Sequence, residues 1–299
     1  MVKPIREIFK AQTLMGRALR APRDIVLRGP LTGIRQGQQR FRKEMLDEQK
    51  RLREEMSGIY EELSRLRDEV GNLSQAGTGL RIPEKFKKHA AHIDALGTPA
   101  ETGAMLIEYM CQRLGIADLG KTDVLDFGCG CRFADAIVNK ELPIGRYTGI
   151  DIDKEMIEFL SRNVSDTRLA FYYWDVQNPL YNPNGEALTS NSSLPVGERD
   201  FDLICMFSVI THQLPDDAEN LLRILRRYVR PEGRLFFSAN IQDMDGDYRE
   251  MAHRPTLHSA YSAAFLQGLL ARTGWKCLSL EGKTPQGVPI QDSFLCAPV

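Results

Sequence analysis

The sequence predicts a doubly wound, mostly parallel α/β sheet preceded by a long N-terminal coiled-coil helix, and three observations carry that reading. Between Val124 and Ala134 an apolar run ends in an acid, breaks at two glycines one residue apart and resumes as a helical pattern. From residue 121 onward short apolar runs alternate with amphipathic stretches, the sequence form of a sheet covered by helices on both faces. Upstream, a seam of residues spaced alternately by four and three runs from Met45 to Leu73.

Residues 1–33 form a basic tail. The first 35 residues hold eight Lys or Arg against only Glu7 and Asp24, interrupted by Pro4, Pro22 and Pro30. Two readings stand: a tail without fixed structure, or a basic amphipathic helix near Ile5 to Arg20 lying on an anionic membrane surface. Residues 34–73 are assigned to the coiled-coil helix. Met45, Gln49, Leu52, Met56, Ile59, Leu63, Leu66, Val70 and Leu73 make the seam, and in a parallel pair Glu48 can meet Arg53, and Glu62 can meet Arg67, of the other chain. Such pairs set orientation while the apolar seam supplies association, so a homo-oligomer is expected, with a single helix folded back on the domain as the alternative. Glycines at 71, 77 and 79 end the helix, residues 74–82 link, and the main domain spans 83–299 with N-terminal helices within 83–120.

In that domain, helices are expected at Glu84 to Ala95 and Glu101 to Leu114, the second with Ala104, Leu106, Ile107, Met110 and Leu114 on one face. Strands follow at 123–127, 146–150, 169–174, 201–207 and 234–239, with helices at 133–140, 154–163, 216–230 and 259–273. Trp275 to Leu280 and Ser293 to Ala297 read as a closing pair of strands. Val124 and Leu125 need not alternate with polar residues because such a strand is buried on both faces. Gly128 and Gly130 permit backbone angles and a close ligand approach that a side chain forbids. The amides opening the next helix can receive a carboxylate or phosphate.

Composition bounds the function. With 299 residues and 42% hydrophobic content the chain can bury one sizeable core and an appendage. A net charge of −1 gives no global field toward nucleic acid. No apolar run approaches the roughly 20 residues of a bilayer span and no secretory signal pattern is present, which predicts a cytoplasmic protein, with membrane contact only through the basic tail. The six cysteines read as reduced structural thiols, since Cys129 and Cys131 lack the spacing of a zinc knuckle. Asp243, Asp245 and Asp247 superficially suggest a metal loop, but Arg254 stands where a calcium loop wants its closing glutamate, so no metal is expected.

The motifs from Lys121 to Val299 resemble those of the class I S-adenosylmethionine-dependent methyltransferases. Val124-Leu-Asp-Phe-Gly-Cys-Gly130 is similar to the family's first motif, Tyr147-Thr-Gly-Ile-Asp151 to its second strand ending in an acid, and Phe171-Tyr-Tyr-Trp-Asp175 to its third. Phe201 to Val209 resembles the fourth strand, and Leu225 to Phe237, with Arg230-Pro-Glu-Gly233, the approach and the fifth. The resemblance implies a Rossmann-like seven-stranded methyltransferase sheet and S-adenosylmethionine as cofactor. It implies that the turn of Asp126, Gly128, Cys129, Gly130 and Arg132 holds the methionine part, Asp151 beside Ile152 the ribose, Asp175 the adenine amine with Trp174 and Val176 against the ring, and Phe207 and Ser208 the face toward the sulfonium. Asp126 and Trp174 read equally as scaffold and core.

One position departs from the pattern. The family commonly has a third glycine where this chain has Arg132, whose cation could pair with the cofactor carboxylate or with Asp126; the alternatives are a turn one residue shorter or one that no longer binds. A nicotinamide-binding fold is the nearest confusable reading, but it needs glycine or alanine where Phe133 stands. His212, directly after the fourth strand, is the candidate general base, with a structural capping role as the alternative. His258 and Tyr261 are further candidates to hydrogen-bond an acceptor. The expected function is methyl transfer to oxygen or nitrogen of a small-molecule or glycan-type acceptor. The competing class is a non-catalytic cofactor-binding fold used as a coiled-coil assembly module.

Overall fold

The computed structural model describes residues 79–87, 93, 96–178, 182–250, 258–282 and 291–299, together with Met45, Glu48 and Arg51. The chain divides into two units, Met1–Ser74 and Gln75–Val299. In the first, Met45, Glu48 and Arg51 are helical, and Arg51 Nη2 meets Glu48 Oε1 at 3.3 Å. The rest of the expected heptad seam and the whole basic tail lie outside the described residues.

The second unit is an alternating α/β domain. Its helices are α1 (Pro99–Leu114), α2 (Arg132–Asn139), α3 (Lys154–Asn163), α4 (Pro215–Arg226) and α5 (Ala263–Arg272). Its strands are β1 (Leu119–Phe127), β2 (Ile144–Asp151), β3 (Leu169–Tyr173), β4 (Phe201–Met206), β5 (Val229–Ala239), β6 (Tyr248–Glu250), β7 (Ser259–Tyr261), β8 (Trp275–Glu281) and β9 (Asp292–Pro298). Seven of them form one sheet in the order β3-β2-β1-β4-β5-β9-β8. The first five run parallel, and β9 enters antiparallel between β5 and β8.

Local sequence explains the helix ends. Thr98 and Glu101 form a reciprocal capping box at the start of α1, Pro99 takes the first helical position, and Gly115 closes the helix in the left-handed region at φ 70°. Asp153 caps α3 by accepting from the Met156 amide, and Ser262 caps α5 by accepting from that of Phe265. Successive strand residues then feed opposite faces of the sheet. Val124, Leu203 and Phe236 pack with Leu106, Met110, Ile137 and Leu160. Leu125, Ile204 and Phe237 pack with Leu221, Leu225, Leu266 and Leu270. Burying both faces accounts for the unbroken apolar runs in the central strands.

Several boundaries differ from the sequence reading, among them the starts of β1, β2 and β5, which lie two to five residues earlier than expected. The helix expected over 216–230 stops at Arg226, because Val229 already pairs with Phe201 in the sheet. The helix expected from 259 begins at Ala263, because Ser259–Tyr261 pairs antiparallel with Tyr248–Glu250 to make a small second sheet. At the front of the domain, Glu84–Phe86 forms a single 3-10 turn. Among the described residues no helix is long and apolar enough to cross a membrane.

Candidate functional site

The candidate site is the carboxyl edge of the sheet, where the strand order reverses between β1 and β4, the place where open α/β sheets take their ligands. Parallel register brings the ends of four strands level: Phe127 lies beside Ile150, Asp151 beside Tyr173, and Asp126 beside Cys205. The turn after β1 is fastened to β2 by two backbone bonds, from the Gly128 and Cys129 amides to the Ile150 carbonyl at 2.8 and 3.0 Å.

The two glycines of that turn do different work. Both have positive φ, 72° at Gly128 and 51° at Gly130. A Cβ at Gly128 would stand 2.5 Å from Val209 Cγ2, so this glycine makes room for the chain that follows β4. A Cβ at Gly130 would meet nothing within 4 Å. The backbone at Gly130 therefore faces open space, as a turn that receives a ligand must.

Asp151 stands at the edge of that space with 4% of its surface exposed. Its Oδ2 accepts from the Gly130 amide at 3.0 Å and its Oδ1 from the Asp153 amide at 3.1 Å. Each carboxylate oxygen thus faces a backbone amide, which orients the group at the end of β2. Ile152 lies between Asp151 and the capping residue Asp153.

Below the turn, Asp126 is buried and meets neutral donors. Tyr147 Oη donates to its Oδ2 at 2.7 Å, and Cys205 Sγ approaches its Oδ1 at 3.6 Å. Burial pushes the Asp126 carboxyl up to about 7, against the lowering effect of those two hydrogen bonds and with the nearby Asp151 adding to the rise. The same burial and the facing carboxylate raise the Tyr147 hydroxyl well above its ordinary value.

After β3 the chain divides its side chains between core and surface. The Trp174 ring packs edge-on against Phe127 at 5.5 Å, and its Nε1 donates to the Ser193 carbonyl at 3.0 Å, so its indole is anchored in the core. Val176 is buried beside it. Asp175 is exposed, and its Oδ1 accepts from Tyr173 Oη at 2.8 Å and Asn182 Nδ2 at 3.0 Å. These two bonds hold its carboxyl below the usual range.

Arg132 opens α2, and one arm of its guanidinium donates to Thr102 Oγ1 on α1. A close helix crossing sets up this pairing, with Gly103 of α1 against the Arg132 backbone. The tie to Thr102 is a use of Arg132 that its place in the turn did not announce.

At the end of β4, the Phe207 ring lies 5.2 Å from that of Phe133 and 5.6 Å from that of Phe236. Ser208 takes φ 61°. Val209 leads into a 3-10 turn, Ile210–His212, and the His212 ring stands 4.9 Å from that of His258. Tyr261 Oη donates to the Gln213 carbonyl at 2.6 Å, fixing the small second sheet against this turn. Two histidines 46 residues apart thus meet beyond the end of β4. Among the described residues no three His, Cys, Asp or Glu side chains come together to hold a metal ion.

Comparison with known proteins agrees with this geometry. A family profile described as "Methyltransferase domain" matches residues 50–280, more than half of the chain. The chain belongs to that family, and its fold and motifs are those of the class I S-adenosylmethionine-dependent methyltransferases. A malonyl-[acyl-carrier protein] O-methyltransferase of Priestia megaterium is 24% identical over 61% of this chain. The chain spans 56% of that relative's length. Among solved structures, an S-adenosylmethionine-dependent methyltransferase from Mesorhizobium loti is 16% identical, covering 64% of this chain and 97% of its own, with a TM-score of 0.46. The 1,6-didemethyltoxoflavin-N1-methyltransferase of Burkholderia thailandensis is 20% identical, covering 80% and 89%, with a TM-score of 0.45.

Proposed function

We propose that this domain binds S-adenosylmethionine in the turn between β1 and α2 and transfers its methyl group to oxygen or nitrogen of a small-molecule or glycan-type acceptor. The observation that carries the reading is the pairing of Asp151 with the amide of Gly130, the glycine whose Cβ position faces open space. When bound, S-adenosylmethionine supplies an activated methyl on a sulfonium, and transfer is an in-line displacement. The protein's part is therefore to position the reactants and exclude water.

The residues fit that task. Asp151 accepts from the ribose hydroxyls, the Gly128–Cys129–Gly130 turn and the α2 N-terminus hold the methionine part, and Asp175 beside Val176 receives the adenine end. Phe207 and Ser208 close the side from which an acceptor arrives. Trp174 stiffens the β3 end from the core, and Arg132 steadies α2 against α1.

His212 is assigned as the base where the acceptor must lose a proton, with His258 beside it. A carboxylate acceptor needs no such base, because its oxygen is already a nucleophile at neutral pH. The name of the Priestia relative supports transfer to oxygen but not a particular acceptor. We further propose that residues 34–73 self-associate. Sedimentation of the full chain should show an oligomer, and Ile59→Asp should give a monomer.

The deciding experiment is titration calorimetry with S-adenosylmethionine and its demethylated product, followed by a labelled-methyl assay on fractionated extract. Micromolar binding and label in an acceptor are the expected results. A wild-type chain that binds neither compound sinks the proposal. Base catalysis by His212 predicts a rate that rises through the imidazole range and loses that rise in His212→Ala with cofactor affinity kept. An unchanged profile removes His212 from the chemistry.

A further inference from the structure

Ser208 is an L-residue in the left-handed region at φ 61°, a conformation that backbone and Cβ sterics disfavour. Such a conformation persists when its surroundings over-determine it, and the surroundings of Ser208 can be read bond by bond. Its amide donates to Ser238 Oγ at 2.8 Å, and that hydroxyl donates to Gln291 Oε1 at 2.9 Å. Gln291 Nε2 donates in turn to Ser208 Oγ at 2.8 Å. Ser208 Oγ lies 3.2 Å from Thr211 Oγ1, which donates to the Ser208 carbonyl at 2.8 Å. With the Thr211 proton committed to that carbonyl, the Ser208 proton points to Thr211.

The five bonds form one directed relay that leaves residue 208 at its amide and returns at its carbonyl. Gln291 is the member that both accepts and donates through separate atoms, so it sets the direction of the whole relay. It immediately precedes β9, 83 residues away in the chain.

The relay has a reason to matter for the ligand. On one side of Ser208, Phe207 packs against Phe133 in the first turn of α2. On the other, Val209 fills the space that a side chain at residue 128 would need. Both neighbours of the strained residue therefore press on the β1–α2 turn.

We infer that Gln291 is a positioning residue for the cofactor site: it holds Ser208 in its left-handed turn and, through Phe207 and Val209, keeps the glycine turn in its binding shape. This inference rests on the methyltransferase reading of the site. Calorimetry with S-adenosylmethionine and S-adenosylhomocysteine on wild type, Gln291→Ala, Ser208→Gly and the double variant tests it. Gln291→Ala should weaken cofactor binding about tenfold. Ser208→Gly carries its own cost but removes the strain, since glycine takes this φ without penalty. On that background, removing Gln291 should add less than a twofold loss. A Gln291→Ala protein that binds within threefold of wild type overturns the inference, and so does a loss that persists undiminished in the double variant. Should Gln291→Ala fail to fold, Gln291→Glu keeps the length and the acceptor for Ser238 while deleting the donor to Ser208, and the same comparison applies. Absence of binding by the wild type instead defeats the methyltransferase reading itself, together with what rests on it.

Discussion

Strand β1 carries two buried aspartates three residues apart, and their surroundings are opposite. Asp123, near the strand's start, is met by guanidiniums: Arg146 at 2.5 Å, Arg199 at 3.2 Å and Arg230 at 3.7 Å. Arg230 also pairs with Asp202, whose carboxylate accepts from the Asp123 amide at 2.9 Å. Asp126, under the glycine turn, meets a phenol and a thiol and no cation within ion-pair distance among the described residues. The foot of the sheet is thus tied by charge, and the carboxyl edge rests on an aspartate whose carboxyl is pushed by burial up to about 7. Equal burial of the same residue type does not give equal chemistry. The partners decide whether a carboxylate is anchored or poised.

The largest expected effect comes from Asp126. Its folded pKa, about 7, lies above the unfolded value near 3.9, so the protonated folded form is the favoured one. Its stabilising contribution is complete below about pH 4 and is lost as pH rises to about 7, a decline on the order of 3 kcal/mol from pH 5 to pH 8. Asp126→Asn should flatten that decline in urea titrations across pH, and an unchanged slope would show that the carboxyl does not titrate there.

Asp123→Asn comes next. It takes the carboxylate from Arg146 and Arg199, while Arg230 keeps Asp202, and should cost about 2 kcal/mol of stability while leaving cofactor affinity within twofold. A loss of affinity would mean that the two ends of β1 are coupled. Asp151→Ala should weaken cofactor binding at least tenfold, about 1.4 kcal/mol, and also lower the denaturation midpoint of the free protein, because the Gly130 and Asp153 amides lose their acceptor.

Arg132→Ala gives the smallest effect. Its guanidinium is engaged with Thr102, so cofactor affinity should fall less than threefold in calorimetry. A larger fall would return Arg132 to the ligand-binding set.

What could be read in the chain was local. The left-handed turn at Gly128 and Gly130, the acid closing β2 and the alternation of elements each depend on residues close in sequence, and each was legible. The closing strands were visible as apolar runs, but not that β9 rather than β8 would lie against β5, since both runs suit either place. The helix expected from 259 was wrong in its first turn because Ser259–Tyr261 gains a partner strand, a pairing no local pattern announces. The ties of Trp174 to Ser193 and of Arg132 to Thr102 were not legible, because those partners stand 19 and 30 residues away.

By itself the sequence determined the class of the α/β domain, the family and where along the chain the glycine turn lies, because strand-turn-helix geometry is encoded by neighbours. Only the tertiary structure decided which of two similar glycines faces open space, which of two buried aspartates is paired with charge, and that Ser208 is held by a glutamine from the far end of the chain. Those outcomes depend on what packing brings within about 3 Å, and chain separation carries no record of it.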